Sequence, residues 1–438
     1  MPTLRDASLN EVCSLVTDGT HDTPKRVQNG YPLIKAKEIV GGQIDFVTCD
    51  QISEVEHLQV IARSKPEYGD TLFAHIGASL GEAAFVQTHC SFSIKNIALF
   101  KPNPEIINQR YLYYMVISPT FQDLAKQTKT GSAQPFLSLG HLRSHRVRYH
   151  ESLNDQRKIA AILSAYDDLI ENNLRRIKIL EEMAQNLYRE WFVKFRFPGH
   201  QQVRFTDSPL GQIPEGWEIK ALGSLMEEHI GGGWGNDVED DNYTEPAWVI
   251  RGTDIPTARS CDLSKVPFRY HKKSNLQSRR LMPGDIVFEV SGGSKGQPLG
   301  RSLYISSELL AAFNGAPVIC ASFCKRIKPD TEQYASELLY LSFLDAYISG
   351  EIEQYQVQST GISNYKWSDY LEKVSRCVPP IALQERFCEL SAPLFSKIGT
   401  LGRKNTNLRC TRDLLLPRLI SGEVDVSELD IKGPEEVA

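Results

Sequence analysis

The sequence predicts an α/β (α+β) chain: two similar globules separated by two long antiparallel coiled-coil helices, the halves related by a pseudo-two-fold internal repeat. Three observations predict it. Residues 154–191 carry apolar side chains at alternating steps of 4 and 3, a coiled-coil seam. The same seam recurs 228 positions later without insertion or deletion. The stretches preceding the two seams share landmarks in the same order.

The first seam runs through Ile159, Leu163, Tyr166, Ile170, Asn173, Ile177, Leu180, Ala184, Leu187 and Trp191. No Gly or Pro interrupts it before Pro198, and charged residues fill the other faces. So narrow an apolar stripe requires a partner helix. The second copy places Phe387, Ser391, Leu394, Ile398, Leu401, Asn405, Leu408, Arg412, Leu415 and Leu419 at equivalent positions. Pro393 predicts a kink or a late start for this helix, and Pro417 a frayed end. In an end-to-end antiparallel pair, positions summing to 578 face each other, so Asn173 meets Asn405, Tyr166 meets Arg412, and Trp191 meets Phe387. An asparagine pair in such a layer sets register, because a slip strands its amides against leucine or isoleucine. The alternative is that both asparagines are tolerated at a solvated seam.

The globules follow from the repeat outside the helices. YPLIKAKEI (residues 31–39) matches AWVIRGTDI (residues 247–255), and GDTLFAHIGASLG (residues 69–81) matches GDIVFEVSGGS (residues 284–294). Lys101-Pro102 answers Lys328-Pro329, and TGSAQ (residues 130–134) answers TGISN (residues 360–364). Each half reads as short strands, a helix (residues 107–127 and 332–354), a Gly-containing loop and a last strand.

Composition bounds the class. The 438 residues are 41% hydrophobic and 24% charged, as in globular proteins. No charged-then-apolar leader and no membrane-length apolar run is present, so a cytoplasmic protein without membrane association is expected. Nine cysteines without a CxxC pair argue against a disulfide framework or a zinc site. The net charge of −5 means that any nucleic-acid surface must be local. Basic clusters interleaved with aromatic residues occur at 141–150, at 268–280 and at 325–328; such runs suit phosphate contact but are more often just solvated faces.

Catalytic motifs are sparse. Asp207 with Glu218-Ile-Lys220 fits a metal-nuclease spacing only formally, since that pattern is degenerate. There is no GxxxxGK[ST] phosphate loop and no Asn/Asp-Pro-Pro-aromatic methyltransferase motif; Pro379-Pro380 lies between Val378 and Ile381. GGGWG (residues 231–235) reads as a mobile loop. No catalytic residue, metal ligand or cofactor is expected.

The repeated GD-hydrophobic-F segment, TGSAQPFLS and its counterpart TGISNYKWS, IPEGWEIKALGSL (residues 213–225), VPPIALQERF (residues 378–387) and LLLPRLISGEV (residues 414–424) together resemble the specificity (S) subunits of type I restriction-modification enzymes, the HsdS family. The resemblance covers essentially the whole chain. It implies target-recognition domains at 1–150 and 198–378, spacer helices at 151–197 and 379–424, and a C-terminal tail at 425–438. Each domain would read one half of a bipartite, asymmetric DNA site. The helices would space the domains and dock two methyltransferase subunits, with motor and restriction subunits joined through them. A seam of this length spans roughly 48 Å, more than the ~34 Å between half-sites one DNA turn apart. The opening TLRDASLNEV lacks the PEGW entry of the second half, which leaves the first strand's alignment open. A specificity subunit for a type II-like methylase-nuclease, or a coiled-coil adaptor that binds no DNA, are the alternatives.

Candidate base-reading residues are polar or basic side chains beside the repeat landmarks. They are Lys35, Lys37, His75, Ser79, Gln134 and Arg143 in the first domain, and Arg251, Thr253, Ser291, Lys295, Asn364 and Lys366 in the second. Each is equally a strand-end or turn residue.

Overall fold

The repeated Gly-Asp pair shows why the two globules fold alike. Gly69 and Gly284 adopt φ of 93° and 91°, a left-handed turn that glycine enters without a Cβ clash. The aspartate that follows closes the turn and is buried. Asp70 accepts from Glu67 N at 2.7 Å and from Lys101 Nζ at 2.6 Å; Asp285 accepts from Met282 N at 2.7 Å and from Arg326 Nε at 2.8 Å. Burial pushes both carboxyls above the usual range, and the neighbouring cation and turn amide oppose that shift.

The structure, a computed structural model, describes residues 2–129, 135–292, 297–358 and 362–431. Its contacts divide the chain into two units, Met1–Asp168 with Arg409–Ala438, and Leu169–Leu408. Each unit takes in one globule and one end of each long helix.

In the first unit, Cys13–Asp18, Ala98–Pro102, Thr71–Phe73 and Ala83–Phe85 form an antiparallel sheet in that order. A second sheet pairs Tyr31–Lys35 parallel to Ser93–Lys95. In the second unit, Met226–Gly231, Cys324–Pro329, Ile286–Glu289 and Ser302–Tyr304 repeat the first sheet, and Glu245–Ile250 pairs parallel to Val318–Cys320. An antiparallel ribbon joins the first and last strands of each globule: Leu4–Ser8 with Arg146–His150, and Glu218–Ala221 with Ser375–Val378. The open question of the first strand's alignment is thereby answered. The PEGW entry instead belongs to an added hairpin, Phe205–Ser208 with Gly211–Pro214, behind which buried Trp217 stacks among Phe192, Phe195 and Phe197.

Two helical expectations need correction. The single helix over 107–127 is two helices, Gln109–Ile117 and Pro119–Lys129, because Pro119 forces Ser118 into an extended conformation (ψ 149°). The second long helix is continuous over Ile381–Ile420, starting well before Pro393 and passing Pro417. Each proline frees a carbonyl four residues earlier, at Glu389 and Asp413. Both of those residues are exposed, which leaves water access to the acceptor.

The first long helix, Leu153–Tyr188, gives way to a π-helical turn over Arg189–Val193, which brings Trp191 and Phe192 together onto Phe387 at centroid distances of 5.7 and 4.9 Å. Elsewhere the antiparallel pairing holds within each unit. In the first unit Ile159 and Leu163 pack with Leu416, Leu419 and Ile420, with Leu415 half-buried beside them. In the second, Ile177 packs with Ile398 and Leu401, flanked by half-buried Leu180, and Leu187 and Leu394 line the neighbouring core. Tyr166 and Leu408 are half-buried. Tyr166 does not take Arg412, whose Nη1 donates to Asp167 Oδ1 at 2.5 Å while Tyr114 donates its hydroxyl to Oδ2 at 2.6 Å. A guanidinium needs a carboxylate when it is withdrawn from water, and a phenol cannot supply that charge.

Gln156 and Gln384, equivalent in the repeat, fasten each globule to its long helix. Gln156 Oε1 accepts from Asn108 N at 2.7 Å, and its Nε2 donates to Ile106 O and His150 O at 2.9 and 2.7 Å. Gln384 Oε1 accepts from Ala335 N at 2.9 Å, and its Nε2 donates to Gln333 O and Pro379 O at 3.0 and 2.9 Å. Both amides are buried with their donors and acceptor engaged. Residues Gly399 and Gly402 of the second long helix admit Glu308 and Cys261 so closely that a Cβ would lie 2.4 and 2.8 Å from them.

Candidate nucleic-acid interface

Strand ends and turns of each globule carry the candidate residues, and most have local partners. In the first unit, Lys35 ends the strand Tyr31–Lys35 with its ammonium against Asp50, which also meets Arg26 at 3.1 Å. That contact holds the Asp50 carboxyl below the usual range. Lys37 is exposed and touches Glu38 at 3.1 Å. His75 is buried, and its Nδ1 lies 2.8 Å from Leu137 O, a placement that ties loop to strand rather than offering the ring to DNA. Ser79 is half-buried in the turn before Ala83–Phe85. Arg143 donates through Nε and Nη2 to Val16 O at 2.9 and 2.8 Å. Gln134 lies outside the described residues.

The basic clusters are spent on similar contacts. Arg146 donates to Asp6 O, Arg148 pairs with the Asp6 carboxylate, and His150 Nε2 lies 2.8 Å from Leu419 O. In the second unit Arg269 meets Asp237 and lies over the Trp234 ring, Arg279 donates to Gly231 O, Arg326 pairs with Asp285, and Lys328 with Glu227. Among the other cations of these clusters, Lys272 lies over Tyr243 and Lys325 over Trp367, while Lys273 and Arg280 are exposed.

In the second unit three candidates converge. Arg251, Thr253 and Ser291 line one cleft of about 670 Å³ together with Trp234, Glu289 and Phe323. Arg251 is fixed by Asp254 through Nε and Nη2 at 2.9 and 2.8 Å, and burial of Ser291 is relieved by Asn364 Oδ1 at 2.9 Å. Thr253, Asn364 and Lys366 are exposed, and Lys295 lies outside the described residues.

The glycine-rich loop has a different basis from the mobility expected. Gly232 N donates to Cys324 O at 3.0 Å and Gly233 N to Cys320 O at 2.9 Å, and a Cβ on Gly232 would sit 2.1 Å from Cys320 O. The glycines permit this close seating and leave Trp234 at the cleft, 41% exposed. Sequence reading missed Glu289, Arg301 and Phe323. The available signal was Glu289 itself, an acid at the end of a hydrophobic strand where the first repeat has Ala74.

The formal nuclease residues do not assemble. Asp207 accepts from Gln212 at 3.4 Å, and Glu218 pairs with Lys220 at 3.0 Å. Among the described residues no group of three His, Cys, Asp or Glu is placed to hold a metal ion, and no helix is long and apolar enough to cross a membrane.

Residues 5–182 match the model of the type I restriction modification DNA specificity domain. The MjaIX specificity subunit of the type I restriction enzyme from Methanocaldococcus jannaschii is 26% identical over 419 residues, covering 91% of this chain and 90% of that one. The chain is thus similar over most of its length to specificity subunits of type I restriction enzymes. The HindI specificity subunit of Haemophilus influenzae is 22% identical, over 90% of this chain and 95% of its own. A type I S subunit from M. genitalium shares the fold at a TM-score of 0.52 and 12% identity, covering 96% of each chain. The MjaIX and HindI relatives each cover nine-tenths of the present chain.

Proposed function

We propose that this chain is the DNA sequence-specificity subunit of a type I restriction-modification enzyme, and that each globule reads one half of a bipartite, asymmetric site. The observation that carries the reading is the twice-built globule. The sheet order and Gly-Asp turn are the same in both, whereas the side chains beside the landmarks differ: Lys35 against Arg251, Lys37 against Thr253, Ala74 against Glu289. One scaffold with two different surfaces suits two different half-sites.

Its role is recognition, and the chemistry belongs to partners. Two methyltransferase subunits dock on the helices, which expose Ile179 and Met183 one turn apart and, on the second helix, Leu390 and Leu414. Motor and restriction subunits join through them. The test is methylation sequencing of DNA from cells carrying this gene with its neighbouring methyltransferase gene, against cells lacking this gene alone. A split motif that vanishes with the deletion is expected; unchanged methylation would contradict the role.

A further inference from the structure

The cleft of the second unit is built for an occupant. Glu289 is only 2% exposed, yet it lines the cleft. Its carboxylate is held by Arg301, with Nε to Oε2 at 2.8 Å and Nη2 to Oε1 at 2.5 Å. That pairing uses two of roughly four acceptor positions, so the oxygens retain capacity for N–H donors. Glycines keep the approach open: a Cβ on Gly252 would fall 2.2 Å from Glu289 Oε1, and one on Gly292 3.3 Å from it. The first repeat has Ala36 where Gly252 stands and Ala74 where Glu289 stands, so the acid and the space beside it occur together. Above this floor Trp234 and Phe323 are 41% and 54% exposed, and Arg251 stands at the wall.

Flat apolar walls over a fixed carboxylate suit a planar heteroaromatic ring that donates from an amino group. Adenine, cytosine and guanine carry such a group and thymine does not. A concave site cannot meet a base inside a stacked duplex, where reading requires side chains that protrude into a groove. A base reaches this floor only by leaving the stack, at an unstacking cost of a few kcal/mol.

We propose that the cleft between Trp234, Phe323 and Glu289 takes up one amino-bearing nucleobase extruded from the second half-site, with Glu289 as the acceptor for its amino group. The proposal rests on the DNA-specificity reading above.

The test is chemical probing of unpaired bases in the second half-site, using the complex of this chain with its methyltransferase subunits on its own methylated motif. Permanganate, kethoxal and chloroacetaldehyde report an orphaned thymine, guanine, and adenine or cytosine respectively. We expect one orphaned base, opposite a position that is not methylated, to react several-fold above free duplex. That reactivity should be lost in Trp234→Ala, Phe323→Ala and Glu289→Gln. The first two alter exposed side chains and leave the buried ion pair in place. Sequence-specific binding without such a base, or with a reactive base that survives the rim substitutions, overturns the proposal and leaves the specificity reading standing. Binding of AMP, CMP or GMP with quenching of tryptophan emission, and no orphaned base in the duplex, assigns the cleft to a free nucleotide and likewise overturns it. Wild-type complex that binds DNA without sequence preference contradicts the specificity reading itself.

Discussion

Asn173 Nδ2 donates to Asn405 Oδ1 at 2.8 Å, and Asn405 Nδ2 reaches Ile170 O at 3.3 Å, in a layer where Asn405 is fully buried. One amide donates to the other, whose own amino group donates to a main-chain carbonyl, in the register in which positions sum to 578. Replacing Asn173 alone by leucine leaves a buried amide unmatched and should cost about 1–3 kcal/mol. Replacing both should restore or raise the unfolding midpoint while loosening register. Denaturant unfolding of the two single variants and the double variant checks this; a double variant less stable than either single one contradicts it.

The Asp167–Arg412 pair plays a different part. Loss of Arg412 leaves the half-buried Asp167 carboxylate without its cation. Change of Asp167 weakens the acceptor of the Tyr114 hydroxyl and leaves Arg412 only the more exposed Asp413, 2.8 Å away. Asp167→Asn or Arg412→Leu should each cost about 1–3 kcal/mol, a range below that of deeply buried pairs because both side chains keep 23% exposure. A double-mutant cycle should show strong coupling; additive losses would mean that the pair contributes little.

The glutamine fasteners predict paired and independent effects. Gln156→Leu and Gln384→Leu each unmatch three backbone groups, one buried and two part-buried, at a cost on the order of 2–4 kcal/mol. The two sites share no partner, so the losses should add within ~0.5 kcal/mol. A markedly smaller loss in either variant, by thermal unfolding, would mean that water replaces the amide.

Acid should destabilise the chain in a window set by histidines. Burial lowers the basicity of His57, His75 and His271, most plainly at His271, whose two ring nitrogens find no hydrogen-bond partner. The folded state therefore favours the neutral rings. Their contribution is fully present above the unfolded value of ~6.5 and is lost as pH falls below it, because the unfolded chain then binds more protons. The unfolding midpoint should drop between about pH 7 and 5; a flat midpoint over that range would contradict the assignment.

The helix pair and its facing layers were legible because period and repeat are one-dimensional signals: Asn405 and Phe387 can be named as partners of Asn173 and Trp191 by arithmetic alone. The failures have equally local causes. A proline's effect depends on whether the carbonyl it frees meets water, which Glu389 and Asp413 show only once burial is known. A basic run such as that at 141–150 does not show its own pairing: Arg143, Arg146 and Arg148 donate to Val16 and Asp6, far away in sequence. The cleft is assembled from four separated stretches around 234, 252, 289 and 323, and a concavity has no periodicity to betray it.

The most direct test of the central claim is exchange of residues 1–150 for the corresponding globule of another specificity subunit, followed by methylation sequencing. The account predicts a hybrid motif in which one half changes and the other half, with its spacing, stays as it was. A motif in which both halves change, or neither does, would contradict the assignment of one half-site to each globule.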